Sequence, residues 1–173
     1  YELEKILSDV AGKTGKKVDR AVLFGGGIGV PPMLELAKQL HDAKTCDVEV
    51  VLGYRDNQLF LKSEFDEFGH VTVATEDGSI GTKGNVLDAV KTCKITGDVI
   101  FACGPTPMLR AIKAYAEENS IEAYISLEEK MACGIGACLA CVCKTTRKDE
   151  HSQVNNARVC KEGPVFNEKE VEI

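Results

Sequence analysis

Ala21-Val-Leu-Phe-Gly-Gly-Gly-Ile-Gly-Val-Pro-Pro-Met33 decides the fold. An apolar run, Ala21 to Phe24, breaks into glycine and then into a segment whose apolar positions are Met33, Leu34, Leu36, Ala37 and Leu40. That pattern predicts a buried strand, a tight turn and a helix over 33–40. Glycines in such a turn let backbone approach a pyrophosphate, and a helix N-terminus adds free N–H donors and the positive end of its dipole. Pro31 and Pro32 sit where a helix starts, a position at which missing N–H groups cost little. The spacing departs from the usual dehydrogenase G-x-G-x-x-G, because the sixth position counted from Gly27 is Pro32.

The same alternation repeats outward. Residues 48–52, 71–74, 98–102 and 123–126 read as further strands, with helices over 61–68, 85–91 and 107–118. Strands alternating with helices of this length predict right-handed βαβ units. The expected fold is α/β, a doubly wound five-stranded parallel sheet with helices on both faces. Ahead of it, residues 3–10 read as one helix followed by a Gly/Lys-rich turn. After Ser126 the texture changes to a cysteine loop, a polar stretch over 144–156 that reads as a hairpin tip, and short strand candidates around 158–159 and 171–173. The expected division is an α/β domain over 1–128 and a small domain of short β-strands over 129–173. The core of the second is thin enough that a bound metal group is expected to hold it together.

Loops after the C-terminal ends of strands are where doubly wound sheets bind ligands. Four stand there: Gly25, Gly26, Gly27, Ile28, Gly29, Val30 and Pro31; then Gly53, Tyr54, Arg55 and Asp56; then Glu76, Asp77 and Gly78; then Cys103, Gly104, Pro105 and Met108. Any one of them is ordinary turn chemistry. Four along one edge predict a nucleotide crevice.

The second cofactor signal is Cys133-Gly-Ile-Gly-Ala-Cys138-Leu-Ala-Cys141-Val-Cys143, with a last cysteine at Cys160. Cys133-x4-Cys138-x2-Cys141 followed by a distant cysteine is the plant-type ferredoxin spacing for a [2Fe–2S] cluster. Three thiolates from one short loop require the backbone to wrap around the sulfides, which Gly134 and Gly136 permit. A structural zinc site would prefer two C-x2-C knuckles, and only Cys138 to Cys141 forms one. Cys143 competes with the other four for a ligand place. Cys46 and Cys93 read as ordinary small residues.

Eight cysteines in 173 residues, with no opening signal peptide, argue against a disulfide scaffold and for a reduced, cytoplasmic setting. A hydrophobic content of 44% with 28% charged residues is that of an ordinary globular protein. No apolar run approaches membrane length. A net charge of −6 without a basic stripe speaks against nucleic acid.

The loops at 25–32, 53–55 and 103–108 resemble the pyridine-nucleotide domain of the ferredoxin–NADP reductase superfamily. The run from Tyr124 through the cysteine loop to Lys144, with Val159-Cys-Lys-Glu-Gly-Pro-Val-Phe166, resembles more narrowly the electron-transfer subunits of NAD-dependent dihydroorotate dehydrogenases. This resemblance, over residues 20–173, implies FAD, a [2Fe–2S] cluster and NAD(H). It implies a separate FMN-containing catalytic subunit that oxidises dihydroorotate in pyrimidine biosynthesis, within a heterotetramer. It also implies iron ligation by Cys133, Cys138, Cys141 and Cys160, and pyrophosphate contact along Gly25 to Pro31. Cys103 and Gly104 would lie by the nicotinamide. Arg55 and Asp56 would lie by the adenosine ribose, where an acid favours the free 2′-hydroxyl of NAD over the phosphate of NADP.

Members of that family carry a flavin-binding β-barrel before the first strand, of a size typical for a small domain. Only Tyr1 to Arg20 precede it here, so the chain reads as the C-terminal part of such a subunit. The interval between Cys141 and Cys160 is also longer than in the family, which a tip insertion accommodates at small cost. Other readings are a flavoprotein reductase subunit coupling NAD(H) to ferredoxin or hydrogenase, a non-enzymatic nucleotide-binding redox sensor, and a zinc-stabilised module.

Overall fold

The computed structural model describes residues 1–148 and 153–173. In chain order, α1 (Leu3–Thr14) precedes β1 (Arg20–Gly26), and a single 3-10 turn, Gly27–Gly29, leads into α2 (Val30–Ala43). Then come β2 (Asp47–Tyr54), α3 (Lys62–Phe65), β3 (His70–Thr75), β4 (Thr82–Lys83), α4 (Val86–Cys93), β5 (Val99–Cys103), α5 (Thr106–Asn119) and β6 (Glu122–Ser126). The C-terminal segment adds β7 (Val142–Thr145), β8 (Asn156–Arg158), β9 (Val165–Asn167) and β10 (Val171–Glu172).

The predicted five strands form a parallel core, but the sheet has seven, in the order β4-β3-β2-β1-β5-β6-β9. Side chains alternate between two cores. Leu23, Phe101 and Tyr124 face α1 and α2, while Phe24, Ile100 and Ile125 face α4 and α5. Both faces are therefore covered, which is why β1 and β5 read as unbroken apolar runs rather than alternating ones. Helix α2 starts at Val30, earlier than the apolar pattern alone suggests, with its prolines in the first turn.

The two extra strands are short and were invisible to pattern. β4 arises from a loop that Gly81 lays against β3: at φ +69° it comes so close that a Cβ would stand 2.1 Å from the Val73 carbonyl oxygen. β9 comes from the cluster segment and pairs antiparallel with β6, Ile125 opposite Phe166. The predicted helix over 61–68 shrinks to α3, because Leu61 adopts φ +60° and only Phe65 of the helix is buried. In the second sheet, of order β10-β7-β8, the strands β7 and β8 form a hairpin. The tip predicted within 144–156 lies partly outside the described residues.

The C-terminal segment is not an independent lobe. Cys141, Cys143, Val159, Phe166 and Val171 join the same buried cluster as Ile125 and Leu127. Docking onto the sheet thus adds apolar burial to the thin core that the sequence suggests. A polar clamp closes the seam. Glu122 at the start of β6 accepts hydrogen bonds from Lys13 of α1 at 2.7 Å, from Asn167 of β9 at 2.9 Å and from Lys169. The neighbouring Glu168 is fully buried, accepts the Ala123 N–H at 3.0 Å, and has its carboxyl pushed up by that burial.

Burial opposes ionisation of Glu122, yet Lys13, Lys169 and Asn167 outweigh it and draw the carboxyl down to about 2 from an ordinary 4.5. A carboxylate depressed on folding stabilises above its unfolded pKa and loses that stabilisation as pH falls through its folded value. Both lysines are half exposed, so solvent screening reduces the clamp to about 1–2 kcal/mol. Glu122→Gln should lower stability by that amount at neutral pH, measured by urea unfolding. The difference from wild type should shrink between pH 4.5 and pH 2, and a constant difference across that window would contradict the assignment.

Candidate functional site: a nucleotide cleft and a cysteine centre

The chain builds outward from β1 through β2 and β3 on one side and through β5 and β6 on the other. The C-terminal end of β1 is therefore the switch point at which such sheets open a crevice. In the parallel register Gly25 pairs with Cys103, so the glycine turn and the Cys103-Gly104 turn leave the sheet side by side. The approach is close enough to demand glycine. A Cβ on Gly29 would stand 2.0 Å from the Cys103 carbonyl oxygen. Gly27 is different: its φ is +56°, but a Cβ there would meet nothing within 4 Å. Its backbone faces open space, as an anion cradle requires. Pro31 and Pro32 lack N–H groups, so the donors for an anion would have to come from the turn itself rather than from the first turn of α2.

A cleft of about 750 Å³ opens there, within the usual range for small-molecule sites. Of the predicted residues, Gly26, Gly27, Gly53, Tyr54, Arg55, Asp56, Glu76, Pro105 and Met108 line it. Gly25, Gly29 and Val30 are buried beneath, while Ile28 and Pro31 are exposed beside it. Asp77 and Gly78 lie in the turn after β3, outside the lining. There the Ser79 backbone N–H, bonded to Asp77 at 2.9 Å, holds the Asp77 carboxyl below its usual range. Sequence reasoning missed Gln58, Phe60 and Ala111, and the stretch Asn85 to Leu87. Asn85 could have been found, since Asn85 and Asp88 form a reciprocal capping box that starts α4. Phe60 could not: it is an exposed aromatic, fixed by a 2.8 Å hydrogen bond from the Tyr54 hydroxyl to its carbonyl and by edge-on contact between the two rings.

Cys103 is buried under the turn, and that burial pushes its thiol up. Glu128 lies at 4.0 Å and pushes the same way. Gly104 borders a second cavity of about 360 Å³, which shares Pro105 with the cleft and reaches Glu128, Val142 and Cys143 of the cluster segment. A larger hollow, about 980 Å³, lies at the opposite end of the strands among Asp47, Lys44, Glu67 and His70. It carries mixed charge and no strand-to-helix glycine turn, so the chemistry favours the cleft.

The cysteine loop wraps as the glycines predict, with Gly134 at φ +69° and Gly136 at φ +80°, and with Leu139 also left-handed at φ +60°. The sulfur of Cys133 accepts N–H groups from Ile135 at 3.5 Å and Ala137 at 3.3 Å. The Ile135 N–H foremost, then groups of Cys138, draw the Cys133 thiol down to about 6. The sulfur of Cys141 accepts the Cys160 N–H at 3.4 Å, and the Cys141 thiol raises the pKa of Cys160. The four thiols thus stand two by two, Cys133 with Cys138 and Cys141 with Cys160. Cys133 is also close enough to Cys160 to act on it. Among the described residues no three His, Cys, Asp or Glu side chains converge on one point. A two-iron rhomb asks instead for a pair of thiolates at each iron, and the donor set fits it. Cys143 is paired to Ala157 in the hairpin and turns into the core, where burial raises its thiol. Cys46 is half-buried and Cys93 exposed.

Residues 23–114 match the oxidoreductase NAD-binding domain, and residues 128–172 match the iron–sulfur cluster binding domain of dihydroorotate dehydrogenase B. The electron transfer subunit of dihydroorotate dehydrogenase B (NAD(+)) from Geobacillus sp. strain WCH70 is 49% identical over 93% of this chain and 59% of its own length. That from Fusobacterium nucleatum is 43% identical over 95% of this chain and 65% of its own. The chain therefore spans about three fifths of the length of these relatives. Among solved structures, an NADH-dependent reduced ferredoxin-NADP oxidoreductase, described in connection with flavin-based electron bifurcation, aligns with a TM-score of 0.77 at 29% identity. That alignment covers 89% of this chain and 54% of the other. With the glycine turn and the switch-point cleft inside residues 23–114 and the paired cysteines inside the segment 128–172 that matches the iron–sulfur model, the chain belongs to the oxidoreductase NAD-binding family.

Proposed function

We propose that this chain is the NAD- and cluster-carrying part of an electron-transfer subunit. It would pass electrons from dihydroorotate oxidation in an FMN-containing partner, through a [2Fe–2S] cluster and FAD, to NAD+. The observation that carries the reading is adjacency. Cys103 pairs with Ser126 in the β5–β6 register, so the turn beside the nucleotide cleft and the segment leading to Cys133 leave one edge of the sheet as neighbours.

The ligands are Cys133 with Cys138 and Cys141 with Cys160, and the cluster they hold supplies one-electron transfer when bound. Ile135 and Ala137 N–H groups direct positive dipoles at the Cys133 sulfur and favour its thiolate form, the form that ligates metal. In the cleft, the turn of Gly26 and Gly27 would face the pyrophosphate, and Arg55 with Asp56 the adenosine ribose. Asp56 is anchored by the Gln58 N–H at 2.9 Å, and its charge disfavours a 2′-phosphate, so NAD is the nucleotide. Gly104 and the buried Cys103 would sit under the nicotinamide and shield it from water. Met131, Ile135 and Leu139 are exposed around the cysteine loop, and this apolar rim is where the catalytic subunit of a heterotetramer would dock.

Nicotinamide exchanges a hydride and the cluster single electrons, so a flavin able to exchange either must stand between them. The 173-residue chain alone is accordingly expected to bind NADH, to prefer it to NADPH, and to reduce dyes negligibly until a flavoprotein is added. Protein fluorescence and stopped-flow dye reduction measure these. Rapid dye reduction by flavin-free protein would contradict the relay, and equal affinity for NADPH the role of Asp56.

A further inference from the structure

Arg158 is two residues before Cys160 and reaches across to the other ligand segment. Its Nη1 donates to the Gly136 carbonyl at 3.0 Å, inside the loop between Cys133 and Cys138. The guanidinium does not float. Its Nε lies 3.1 Å from both carboxylate oxygens of Glu162, Nη2 also donates to Glu162, and the Arg158 backbone N–H meets Glu162 Oε2 at 2.6 Å. The Lys161 and Glu162 N–H groups both return to the Arg158 carbonyl at 2.9 Å, so the ring of contacts closes around Cys160. The fork geometry of arginine suits this two-sided grip, and a lysine would make only part of it.

We propose that Arg158 is a positioning residue of the cluster. It joins the loop bearing Cys133 and Cys138 to the turn bearing Cys160, and holds a fixed positive charge against the Gly136 carbonyl, inside the loop between two of the ligands. Two consequences follow from electrostatics. First, the hydrogen bond at Gly136 holds a carbonyl whose residue sits at φ +80°, and that carbonyl aligns the loop for ligation. Second, reduction adds one negative charge to the cluster, so a nearby guanidinium favours the reduced form and the Glu162 carboxylate partly cancels that effect. Removing the arginine makes the site more negative, and neutralising the glutamate makes it more positive.

The inference rests on the four-cysteine ligation proposed above, and the experiment separates the two. Wild type, Arg158→Gln, Arg158→Lys and Glu162→Gln are prepared as the full 173-residue chain under anaerobic conditions. Iron and acid-labile sulfide are counted, then the midpoint potential is read by EPR-monitored titration. Absence of a cluster in wild type would overturn the ligation itself. Given a wild-type cluster, Arg158→Gln should lose iron to a chelator at least about tenfold faster, since a charged hydrogen bond is removed. Its potential should move negative, that of Glu162→Gln positive, and Arg158→Lys should recover the potential better than the iron retention. If Arg158→Gln holds too little cluster to titrate, the opposite shift in Glu162→Gln and the intermediate retention of Arg158→Lys carry the test. Unchanged potentials and iron loss in both the Arg158→Lys and Glu162→Gln proteins would overturn it.

Discussion

Cys160→Ser should abolish the cluster, taking the chain from two bound irons to almost none. A serine oxygen remains protonated where a thiolate is required, and Cys141 would be left as the only sulfur of its pair. The competing cysteine makes the prediction sharp. Cys143 is nearer in sequence to Cys141, but the Cys160 backbone meets the Cys141 sulfur while Cys143 pairs with Ala157 along the hairpin, and Cys143→Ser should leave the iron count and the reduced EPR signal unchanged. If the two variants exchanged these outcomes, the fourth ligand would be Cys143.

At the other site the largest effect is expected from the smallest substitution. Gly29→Ala would place a methyl group 2.0 Å from the Cys103 oxygen, 2.2 Å from its carbonyl carbon and 2.6 Å from the Gly104 nitrogen. All three are backbone atoms, so no side-chain rotation relieves the clash, and the ends of β1 and β5 must separate. A cost of about 3 kcal/mol is expected from such overpacking, which is near the upper end for single substitutions. NADH affinity should fall by about a hundredfold if the cleft bears that distortion. Gly27→Ala should cost only about 1 kcal/mol in stability, because its strain is left-handed backbone without a collision. Urea unfolding and NADH titration of both variants rank them. Equal losses at the two positions would mean that the turn does not pack on Cys103 as described.

Much of this was legible because the features obey local rules. The β1 run and the glycine turn announce a strand meeting a helix, and the cysteine spacing announces its chemistry before any fold is known. Arg55, Asp56 and Pro105 were placed at the cleft because each follows the C-terminal end of a strand, where only topology matters. What escaped is what depends on contacts distant in sequence. β9 is a three-residue strand whose existence depends on β6, forty residues away, and β4 depends on Gly81 lying against Val73. Phe60 enters the cleft from an irregular stretch with no periodicity to announce it. The grip of Arg158 on Gly136 joins residues 22 apart in sequence, and nothing in either segment advertises the other. The packing of the small C-terminal domain on the sheet escaped for the same reason. Its missing core is borrowed from the far face of the sheet, through Phe166 and Val159.

The central claim is that one chain carries a nicotinamide-nucleotide cleft and a two-iron centre on adjacent strand ends. The most direct test is metal and sulfide analysis of anaerobically purified protein, with visible and EPR spectra before and after dithionite reduction. The account predicts two irons and two acid-labile sulfides per chain, silent when oxidised and giving one rhombic EPR signal when reduced. A single zinc, or iron without labile sulfide, would contradict it.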